Sequence, residues 1–422
     1  MQRDGGAGAT AARIEADWLK APELQAVFDA LERDGDTARV VGGAVRNTLL
    51  GLAVTDIDVS TTAEPQTVME RARAAGLKAV PTGFEHGTVT VVSAGVPFEV
   101  TTLREDVETH GRHATVRFGR DWQHDAERRD FTMNALYADR RGMVHDPVGG
   151  LPDLAARRVR FIGTARHRIA EDYLRILRFF RFHAQYGEGD LDPDGMAAVT
   201  ELRDGLDGLS AERIGMEMRK LVAAPRAVST LREMERAGII AHVLAMRGGL
   251  EPFAALRALD TIAPEAREPG LALAVLSDGG EADLDQTADH LRLSNAERKR
   301  MKAAHAASAA VAAWRSAGLT RVPERRLKEQ LYREGRAAAV DGLLYAWANV
   351  GAPADDPFFA EALEGLRRLD VPVFPLTGRD LLAAGIAPGR EVGARLARAE
   401  AAWIESGFAL SGDDLLAAAM TE

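Results

Sequence analysis

Two aspartates separated by one residue form the first group with evident chemistry. Asp56-Ile57-Asp58 follows the double-glycine segment Gly42-Gly43-Ala44-Val45-Arg46 by ten residues. On a strand, residues i and i+2 share a face, so the pattern predicts two carboxylates side by side. Their mutual repulsion is relieved by a divalent cation with oxygen ligands, for which we expect Mg²⁺. The simpler alternative is a turn followed by a strand with an acidic outer face.

The double glycine indicates a place for phosphate. Gly42-Gly43 lets the backbone approach a ligand closely, and the helix that follows would present free amide groups at its N-terminus. Arg46, one turn into that helix, could reach the same oxygens.

Glu99 is a candidate third carboxylate. In Phe98-Glu99-Val100, strand alternation directs Phe98 and Val100 to the core and Glu99 to the opposite face. If its strand adjoins that of Asp56 and Asp58, three carboxylates could hold two metal ions, one for an attacking hydroxyl and one for a leaving phosphate. The alternative is an exposed strand glutamate.

An arginine-rich stretch supplies candidate anion-binding groups. Between Arg128 and Arg181 there are twelve Arg, no Lys and six Asp or Glu, so this stretch carries +6 in a chain of −10. Arginine suits bidentate binding of phosphate. Within it, Arg129 is a candidate triphosphate ligand and Asn134 a candidate sugar contact. A cluster of surface salt bridges would show the same pattern of residues.

The segment Glu171–Gln185 predicts a helix that is apolar on every side and therefore buried. Four charged residues interrupt it at three-residue spacing: Asp172, Arg175, Arg178 and Arg181. An internal Asp–Arg ladder would satisfy one arginine, which favours an anionic or polar ligand for the others. Because Asp accepts and Arg donates hydrogen bonds, Asp172 with Arg175 would complement cytosine and adenine and reject guanine and uracil.

The predicted secondary structure changes along the chain. Strands and helices alternate up to about residue 162, and the pattern beyond it predicts helices almost throughout. The expected early elements are a helix over Ala16–Arg33, strands over Ala38–Val41, Thr55–Ser60, Gly87–Val92 and Val96–Leu103, and a helix start within Val45–Leu50. The expected breaks in the helical part are Gly187–Asp194, Asp204–Gly208, Pro264–Pro269 and Gly351–Pro357. The predicted fold is an α+β module followed by an all-α remainder.

Composition excludes several classes of protein. The 422 residues contain no Cys, which excludes disulfides, thiolate zinc and iron–sulfur clusters. The sequence shows no signal peptide and no apolar run of membrane-spanning length, so we expect a cytoplasmic protein without a membrane partner. The net charge of −10 leaves nucleic acid possible, since a local basic stripe suffices to bind phosphates.

Taken together, these motifs resemble the class II tRNA nucleotidyltransferases, which include CCA-adding enzymes and bacterial poly(A) polymerases. The resemblance covers residues 38–185 almost continuously and continues more weakly near residues 209–214, 293–298 and 377–389. It rests on the two segments above and on Glu85-His86-Gly87-Thr88-Val89, Phe98–Arg104, Gly111-Arg112-His113-Ala114, Arg128–Ala135 and Glu171-Asp172-Tyr173-Leu174-Arg175.

This resemblance implies a nucleotidyltransferase head at 16–162 after a flexible terminus at 1–15, then a neck at 163–230, a body at 231–350 and a tail at 351–422. The implied activity is Mg²⁺-dependent addition of CMP, CMP and AMP, from CTP and ATP, to the 3′ end of tRNA bound by its acceptor arm. The implied roles are metal binding by Asp56 and Asp58, with Glu99 as a third catalytic carboxylate. Triphosphate contacts fall to Gly43, Arg46 and Arg129, a ribose contact to Asn134, and base recognition to Asp172, Arg175, Arg178 and Arg181.

The sequence departs from the family at one position and leaves two alternatives. Asn47 stands where the family usually has Asp, which removes a charge beside Arg46. A bacterial poly(A) polymerase is the first alternative, but the Gly-Arg-Arg-Phe-Arg stretch typical of that group is replaced by Pro81–Gly87 and the tail is not basic. A non-catalytic RNA-binding relative is the second, and the retained Asp56 and Asp58 disfavour it. The sequence does not indicate an oligomeric state.

Overall fold

The computed structural model describes residues 12–110, 113–244, 249–277 and 279–421, without the side chains of 105–116. The described chain divides into two compact units, one ending at Leu209 and the other starting at Ser210. The first unit contains the sheet and the second is helical, so the predicted fold class is confirmed. The finer five-part division stays a prediction, and its 1–15 terminus falls mostly outside the described residues.

A seven-stranded mixed sheet forms the centre of the first unit. Its spatial order is β3-β4-β5-β2-β1-β8-β9, in which β2 and β5 are parallel and the other neighbours are antiparallel. The strands are β1 Ala38–Val41, β2 Asp58–Thr61, β3 Lys78–Gly83, β4 Thr88–Ser93, β5 Val96–Thr102, β8 Tyr137–Ala138 and β9 Val144–His145. A separate antiparallel ribbon joins β6 Arg104–His110 to β7 His113–Phe118.

The hairpin between β4 and β5 is confirmed. Ala94 and Gly95 both have positive φ, at 47° and 87°, as a tight two-residue turn between right-twisted strands requires. Phe98 and Val100 are buried, and Glu99 lies on the exposed face as alternation predicted. The ribbon of β6 and β7 is not among the strands expected from the sequence, and Gly111 and Arg112 of the motif within it lie outside the described residues.

Four predicted boundaries in the first unit are wrong. The helix expected to start within Val45–Leu50 starts at Gly43. Residues 16–33 form two helices, because Pro22 starts a new one after Ala21. The strand expected from Thr55 starts at Asp58. The helix expected from Glu171 starts at Leu174, and Asp172 has extended backbone (φ −157°, ψ 107°). The helices of this unit are α1 Asp17–Lys20, α2 Pro22–Leu31, α3 Gly43–Leu49, α4 Pro65–Ala74, α5 Trp122–Glu127, α6 Gly150–Ala155, α7 Ala165–Glu171, α8 Leu174–Tyr186 and α9 Pro193–Glu201.

The second unit consists of helices with the breaks that were expected. Pro264–Arg267 forms a short 3₁₀ turn, and Gly351–Asp356 separates two long helices. Ser294 and Glu297 form a reciprocal capping box at the start of α16. The helices are α10 Ala211–Ala223, α11 Ala227–Arg236, α12 Ile240–Val243, α13 Leu250–Ala258, α14 Pro269–Ser277, α15 Glu281–His290, α16 Asn295–Ser316, α17 Glu324–Val350, α18 Pro357–Arg368, α19 Gly378–Ala383, α20 Arg390–Glu405 and α21 Gly412–Met420.

Helix α17 contains one non-helical residue, Gly335, with φ 76° and ψ 162°. This combination is essentially restricted to glycine, so the helix consists of two segments. In the segment before the break, the Tyr332 ring packs edge-on against Trp403, 5.4 Å between centroids. After the break, Asp341 accepts a hydrogen bond of 2.7 Å from Arg300 of α16.

Buried apolar side chains explain how the sheet and the helices hold together. Along β5 buried residues alternate with more exposed ones, whereas β2 buries Val59, Ser60 and Thr61 in succession, and α8 buries its leucines and phenylalanines. Trp403 lies in a separate carboxy-terminal core cluster with Leu381 and Leu415. Among the described residues, no helix combines the length and apolar character needed to cross a bilayer.

Candidate active site

Strand register brings Asp58 and Glu99 together. Asp58 pairs with Glu99 across β2 and β5, and Glu99 pairs with Thr90 across β5 and β4. Residues paired in register share a face, so Thr90, Glu99 and Asp58 form one row across three strands. The prediction that Glu99 meets an aspartate across adjoining strands is therefore confirmed.

Asp56 reaches the same site from outside the sheet. It lies two residues before β2, where its Oδ2 accepts a 3.0 Å hydrogen bond from Thr55 Oγ1. Because Asp56 lies outside the strand, strand alternation does not determine the direction of its side chain, contrary to our expectation. All three carboxylates nevertheless line one open cavity of about 460 Å³, together with Thr55, Ile57, Thr90, Val96, Pro97 and Phe98.

Electrostatics at this cavity favour a cationic ligand. Loss of solvation and the neighbouring charges of Glu99 and Asp56 raise the pKa of Asp58, and Arg129 opposes them. A carboxylate whose ionised form is disfavoured by like charges gains from a bound cation.

The double glycine connects β1 to α3. Gly42 has φ 68°, and α3 begins at Gly43. A Cβ at Gly42 would lie 3.5 Å from the carbonyl oxygen of Asn134, which is an ordinary contact distance. Glycine is therefore favoured here by its positive φ and not by lack of space.

Arg46 is buried rather than exposed to a ligand. Only 6% of the residue is accessible, and its guanidinium donates to Asn134 Oδ1 (2.6 Å), to Asn47 Oδ1 (2.9 and 3.1 Å) and to the Tyr186 hydroxyl (2.8 Å). The Tyr186 ring also lies 4.0 Å from its central carbon. Burial, with nearby Arg181 and Arg178, lowers the pKa of Arg46.

Arg129 connects the glycine turn to the carboxylates. It donates to Asp125 Oδ2 (3.1 Å) and the Tyr137 hydroxyl (3.2 Å), and its Nη2 lies 3.4 Å from Ser60 Oγ. Ser60 is two residues after Asp58 on β2 and so shares its face. Arg129 therefore carries its positive charge over the same face of the sheet as the carboxylate row.

A buried aspartate, Asp130, joins the two ends of the arginine-rich stretch. Its Oδ1 accepts from Asn134 Nδ2 (3.0 Å), and its Oδ2 accepts from Arg178 Nε (2.7 Å). Burial alone would raise the pKa of Asp130, but Arg178 and these hydrogen bonds lower it. A continuous chain of contacts thus runs from Tyr186 through Arg46, Asn134 and Asp130 to Arg178.

The charged residues around α8 have more protein partners than the ladder interpretation allowed. Asp172 precedes the helix, where its Oδ1 accepts from the Leu174 amide at 3.2 Å. Arg175 forms an ion pair with Glu171 and donates to the Arg168 carbonyl oxygen at 2.8 Å. Arg181 lies over the Phe182 ring at 4.2 Å. The inference that these arginines lack protein partners is therefore wrong for Arg175 and Arg178.

Sequence reasoning missed four residues that organise the site. Asp125, Asp130 and Tyr137 hold Arg129 and Arg178, and Tyr186 holds Arg46. Asp130 directly follows Arg128 and Arg129, and its apolar neighbour Phe131 could have indicated that it is buried. Tyr186 gave none, because its contact with Arg46 spans 140 residues.

The donor set fits a magnesium ion that is shared with a phosphate ligand. Among the described residues, no three acidic or histidine side chains converge closely enough to enclose a metal. Mg²⁺, however, is usually held by one or two carboxylates together with substrate phosphates and water. Asp56 and Asp58, all-oxygen donors at an open cavity, suit this mode of binding.

Two family models match the chain. Residues 38–160 match the poly A polymerase head domain, and residues 190–246 match a probable RNA and SrmB-binding site of polymerase A. The first model spans the sheet and the candidate site, and the second starts beyond α8.

Of two similar curated proteins, one matches nearly the whole chain and the other about half of it. The mitochondrial CCA tRNA nucleotidyltransferase 1 of Mus musculus is 32% identical over 422 residues, covering 94% of this chain and 92% of the relative. The CCA-adding enzyme of Geobacillus kaustophilus is 39% identical over 229 residues, covering 53% of this chain and 55% of the relative.

Solved structures share the fold. The CCA-adding enzyme of Bacillus stearothermophilus, crystallised with CTP, has a TM-score of 0.69 at 28% identity, covering 91% of this chain and 92% of that one. A Thermotoga maritima CCA-adding enzyme in complex with tRNA has a TM-score of 0.68 at 18% identity, covering 97% and 96%, and supports the fold alone.

Proposed function

Since the chain belongs to the family of CCA-adding tRNA nucleotidyltransferases, we propose that it adds CMP, CMP and AMP, from CTP and ATP, to the 3′ end of tRNA without a nucleic-acid template. One observation carries this proposal for the chain's own residues. The register of β4, β5 and β2 sets Glu99 and Asp58 side by side at an open cavity, with Asp56 at its rim and Arg129 beside it.

The three carboxylates form the catalytic centre in this proposal. Asp56 and Asp58 hold Mg²⁺, and Glu99 adds negative charge beside Asp58. The bound metal supplies Lewis-acid stabilisation of charge on the phosphate oxygens. The raised pKa of Asp58, caused by partial burial and by Glu99, supports a cation as its natural counterpart.

The triphosphate binds on the other side of β2, toward β1. Gly43 offers its amide at the start of α3, and Arg129 offers a guanidinium held by Asp125 and Tyr137. Arg46 contributes positive charge and positions Asn134, whose amide is the proposed ribose contact. This refines the sequence-based role of Arg46, because its burial favours action through a neighbour over direct phosphate binding.

The reaction is an in-line substitution at the α-phosphorus. The 3′-oxygen of tRNA forms a bond to that phosphorus, and the bond to the bridging oxygen of the β-phosphate breaks. The electron pair leaves with pyrophosphate, and the hydroxyl proton is released to water at the open cavity.

In this proposal, residues at the start of α8 select the incoming base. We assign the Watson–Crick edge of the incoming base to Asp172 and Arg175, with Arg178 and Arg181 nearby. The ion pair of Arg175 with Glu171 and its bond to the Arg168 carbonyl fix the guanidinium in place. A fixed donor beside an acceptor complements cytosine and adenine.

The test is an extension assay on tRNA that ends before, within or after its terminal triplet. The purified protein with Mg²⁺, CTP and ATP, one of the two nucleotides labelled, should add three, two or one nucleotides to incomplete ends and none to a complete end. Asp56→Asn and Asp58→Asn should each reduce the rate by at least about 10³-fold. The control Glu64→Gln changes an exposed carboxylate outside the cavity and should leave the rate unchanged.

Two outcomes would contradict the proposal. Long A tracts on any RNA end would identify a poly(A) polymerase, to which the matched head-domain model also extends. Binding of tRNA without extension would identify a non-catalytic relative. Omission of Mg²⁺, with EDTA present, should abolish extension, and activity that persists there would remove the metal from the mechanism.

A cytoplasmic location is also our proposal. The absence of cysteine from the chain agrees with a compartment where disulfides do not form. Fractionation of the source cells with an antibody against the protein would test it.

A further inference from the structure

The Tyr137 hydroxyl lies between two charged side chains, Arg129 and Asp125. Tyr137 belongs to β8, where it pairs with Val41 directly before the glycine turn, and it is fully buried. Its oxygen accepts a 3.2 Å hydrogen bond from Arg129 Nε, and its O–H donates to Asp125 Oδ2 at 2.8 Å. The hydroxyl thus accepts from the cation and donates to the anion at the same time.

Asp125 alone does not hold Arg129 at two points. Arginine and a carboxylate often pair through two parallel hydrogen bonds, one to each oxygen. Here Oδ1 of Asp125 accepts from Arg128, at 2.8 Å from Nε and 2.6 Å from Nη2. Only Oδ2 is left for Arg129, whose Nη2 lies 3.1 Å from it. The Tyr137 oxygen therefore replaces the missing second acceptor, opposite Nε of Arg129.

Because Nε and Nη2 are held, the position of the third nitrogen of Arg129 is determined. Nη1 lies beside the glycine turn, since a Cβ added at Gly42 would be 3.9 Å from it. In the part of the chain that the structure describes, Nη1 forms no hydrogen bond to a protein acceptor. The side chain is 20% exposed. Nη1 therefore offers its N–H groups to an anion at the start of α3.

The ring that carries the hydroxyl is itself fixed by packing. It lies edge-on to Trp122, with 5.3 Å between the centroids, in a core cluster that includes Ile162. Trp122 begins α5, the helix that also carries Asp125. Burial and Asp125 raise the pKa of Tyr137 against the opposing charge of Arg129. The hydroxyl consequently stays protonated at neutral pH and continues to donate to Asp125.

We propose that Tyr137 is a positioning residue for nucleotide binding, whose hydroxyl fixes the Arg129 guanidinium so that Nη1 faces the triphosphate at the glycine turn. This inference rests on the proposed function, to which it adds a residue that acts on the substrate through Arg129. Without the hydroxyl, the guanidinium would keep one hydrogen bond to Asp125. A single bond does not fix the orientation of a plane, so Nη1 would turn away from the phosphates.

The first test removes the hydroxyl and keeps the ring. Tyr137→Phe should raise KM for CTP and for ATP by the same factor of about tenfold, as for one lost hydrogen bond to a charged group. The affinity for inorganic tripolyphosphate, a competitor of CTP, should fall by that factor too. The value of kcat and the KM for tRNA should stay within about twofold, whereas a merely structural role would change them as well.

Tyr332→Phe is the matched control. It also removes a hydroxyl that donates to a carboxylate, that of Glu400 at 2.6 Å, but in the second unit. It should leave KM for CTP and ATP and the binding of tripolyphosphate unchanged. Urea unfolding of both variants shows whether a change in KM accompanies a loss of stability. An equal rise of KM in the two variants would contradict the proposed role of Tyr137.

A double-mutant cycle tests whether Tyr137 acts through Arg129. Arg129→Lys retains the charge but leaves no guanidinium to be fixed. In that background, Tyr137→Phe should change KM for CTP by less than about twofold. If the two substitutions instead multiply their separate effects, the hydroxyl does not act through Arg129 and the inference is overturned.

Binding of tripolyphosphate, measured by titration calorimetry, separates this inference from the proposed function. If the unmodified protein extends no tRNA, the proposed function fails, and tripolyphosphate binding by Tyr137→Phe still decides the role of the hydroxyl. If the protein extends tRNA while Tyr137→Phe leaves KM for CTP and tripolyphosphate binding unchanged, Tyr137 is not a positioning residue. Unequal changes for CTP and ATP would place its effect on the base and likewise overturn the inference.

Discussion

At the scale of single residues, Arg46 is a buried cation that forms hydrogen bonds to uncharged side chains. Its hydrogen-bond partners among the described residues are all neutral: Asn47, Asn134 and Tyr186. A buried cation without a bound carboxylate is costly unless an anion approaches. Asn47 accepts hydrogen bonds from Arg46 without the negative charge that an aspartate would add. The carboxylate of Asp130 lies one contact further, beyond Asn134.

The Tyr186 hydroxyl stabilises this arrangement, and its removal should be measurable. Tyr186→Phe retains the ring 4.0 Å from the guanidinium but loses the 2.8 Å hydrogen bond. We expect the free energy of unfolding to fall by about 1.5 kcal/mol, as for a hydrogen bond to a charged group. Tyr186→Leu, which also removes the aromatic face, should cost about 1 kcal/mol more. Urea denaturation followed by circular dichroism measures both, and equal stability of Phe and Tyr would contradict the role of the hydroxyl.

At the scale of elements, regular geometry explains what was predictable. Alternating burial around Glu99 follows from strand pleating, and register then places Glu99 beside Asp58. Asp56 and Asp172 lie just outside regular elements, so neither the strand period nor the helix period describes them. The contact of Arg46 with Tyr186 depends on tertiary packing across 140 residues, which a local pattern does not contain.

An arginine in α17 supports the end of a neighbouring helix. Arg336 donates to the carbonyl oxygens of Leu366, Arg367 (2.8 Å) and Leu369 (2.7 Å) at the C-terminus of α18. These are carbonyls that a helix end leaves without backbone partners, and a cation there also complements the helix dipole.

Replacing Arg336 should therefore destabilise the second unit. Arg336→Met retains much of the apolar stem and should lower the free energy of unfolding by about 2 kcal/mol. Arg333→Met, which removes an exposed arginine paired with Glu329 at 3.0 Å, is the control and should cost less than about 0.5 kcal/mol. Thermal and urea unfolding of the two variants provide the comparison, and similar losses would remove the special role of Arg336.

At the scale of the whole molecule, acidic groups held by arginines govern the response to pH. Burial alone would raise the pKa of Asp125, but Arg129 and Arg128 outweigh it and lower that pKa. In the second unit, burial is likewise outweighed by Arg219 and Ser294, and the pKa of Glu297 is lowered. Asp341 is the opposite case, because its burial outweighs Arg300 and raises the pKa.

Stability should consequently decline in acid. A carboxyl whose pKa is lower in the folded state binds fewer protons there than in the unfolded chain, so its contribution is complete above about pH 5 and is lost as the pH falls below about 4. Asp341 contributes in the opposite direction and in a different window, because its raised pKa makes its stabilising contribution decline as the pH rises above about 4. Urea unfolding between pH 3 and 7 should show this decline, and Asp125→Asn should flatten it while lowering stability at pH 7 by roughly 3 kcal/mol. A variant with the slope of the unmodified protein would contradict the assignment to Asp125.

The break at Gly335 has a consequence for how this chain tolerates changes in length. In an unbroken helix each inserted residue turns everything beyond it by about 100°, so an insertion would rotate one packed surface away from its partners. Here the segments on either side of Gly335 engage different neighbours, Trp403 before it and Arg300 after it. Because the helix is interrupted at Gly335, the rotation of one segment about its axis does not fix the rotation of the other. We therefore expect an added residue at this joint to leave both surfaces facing their present neighbours.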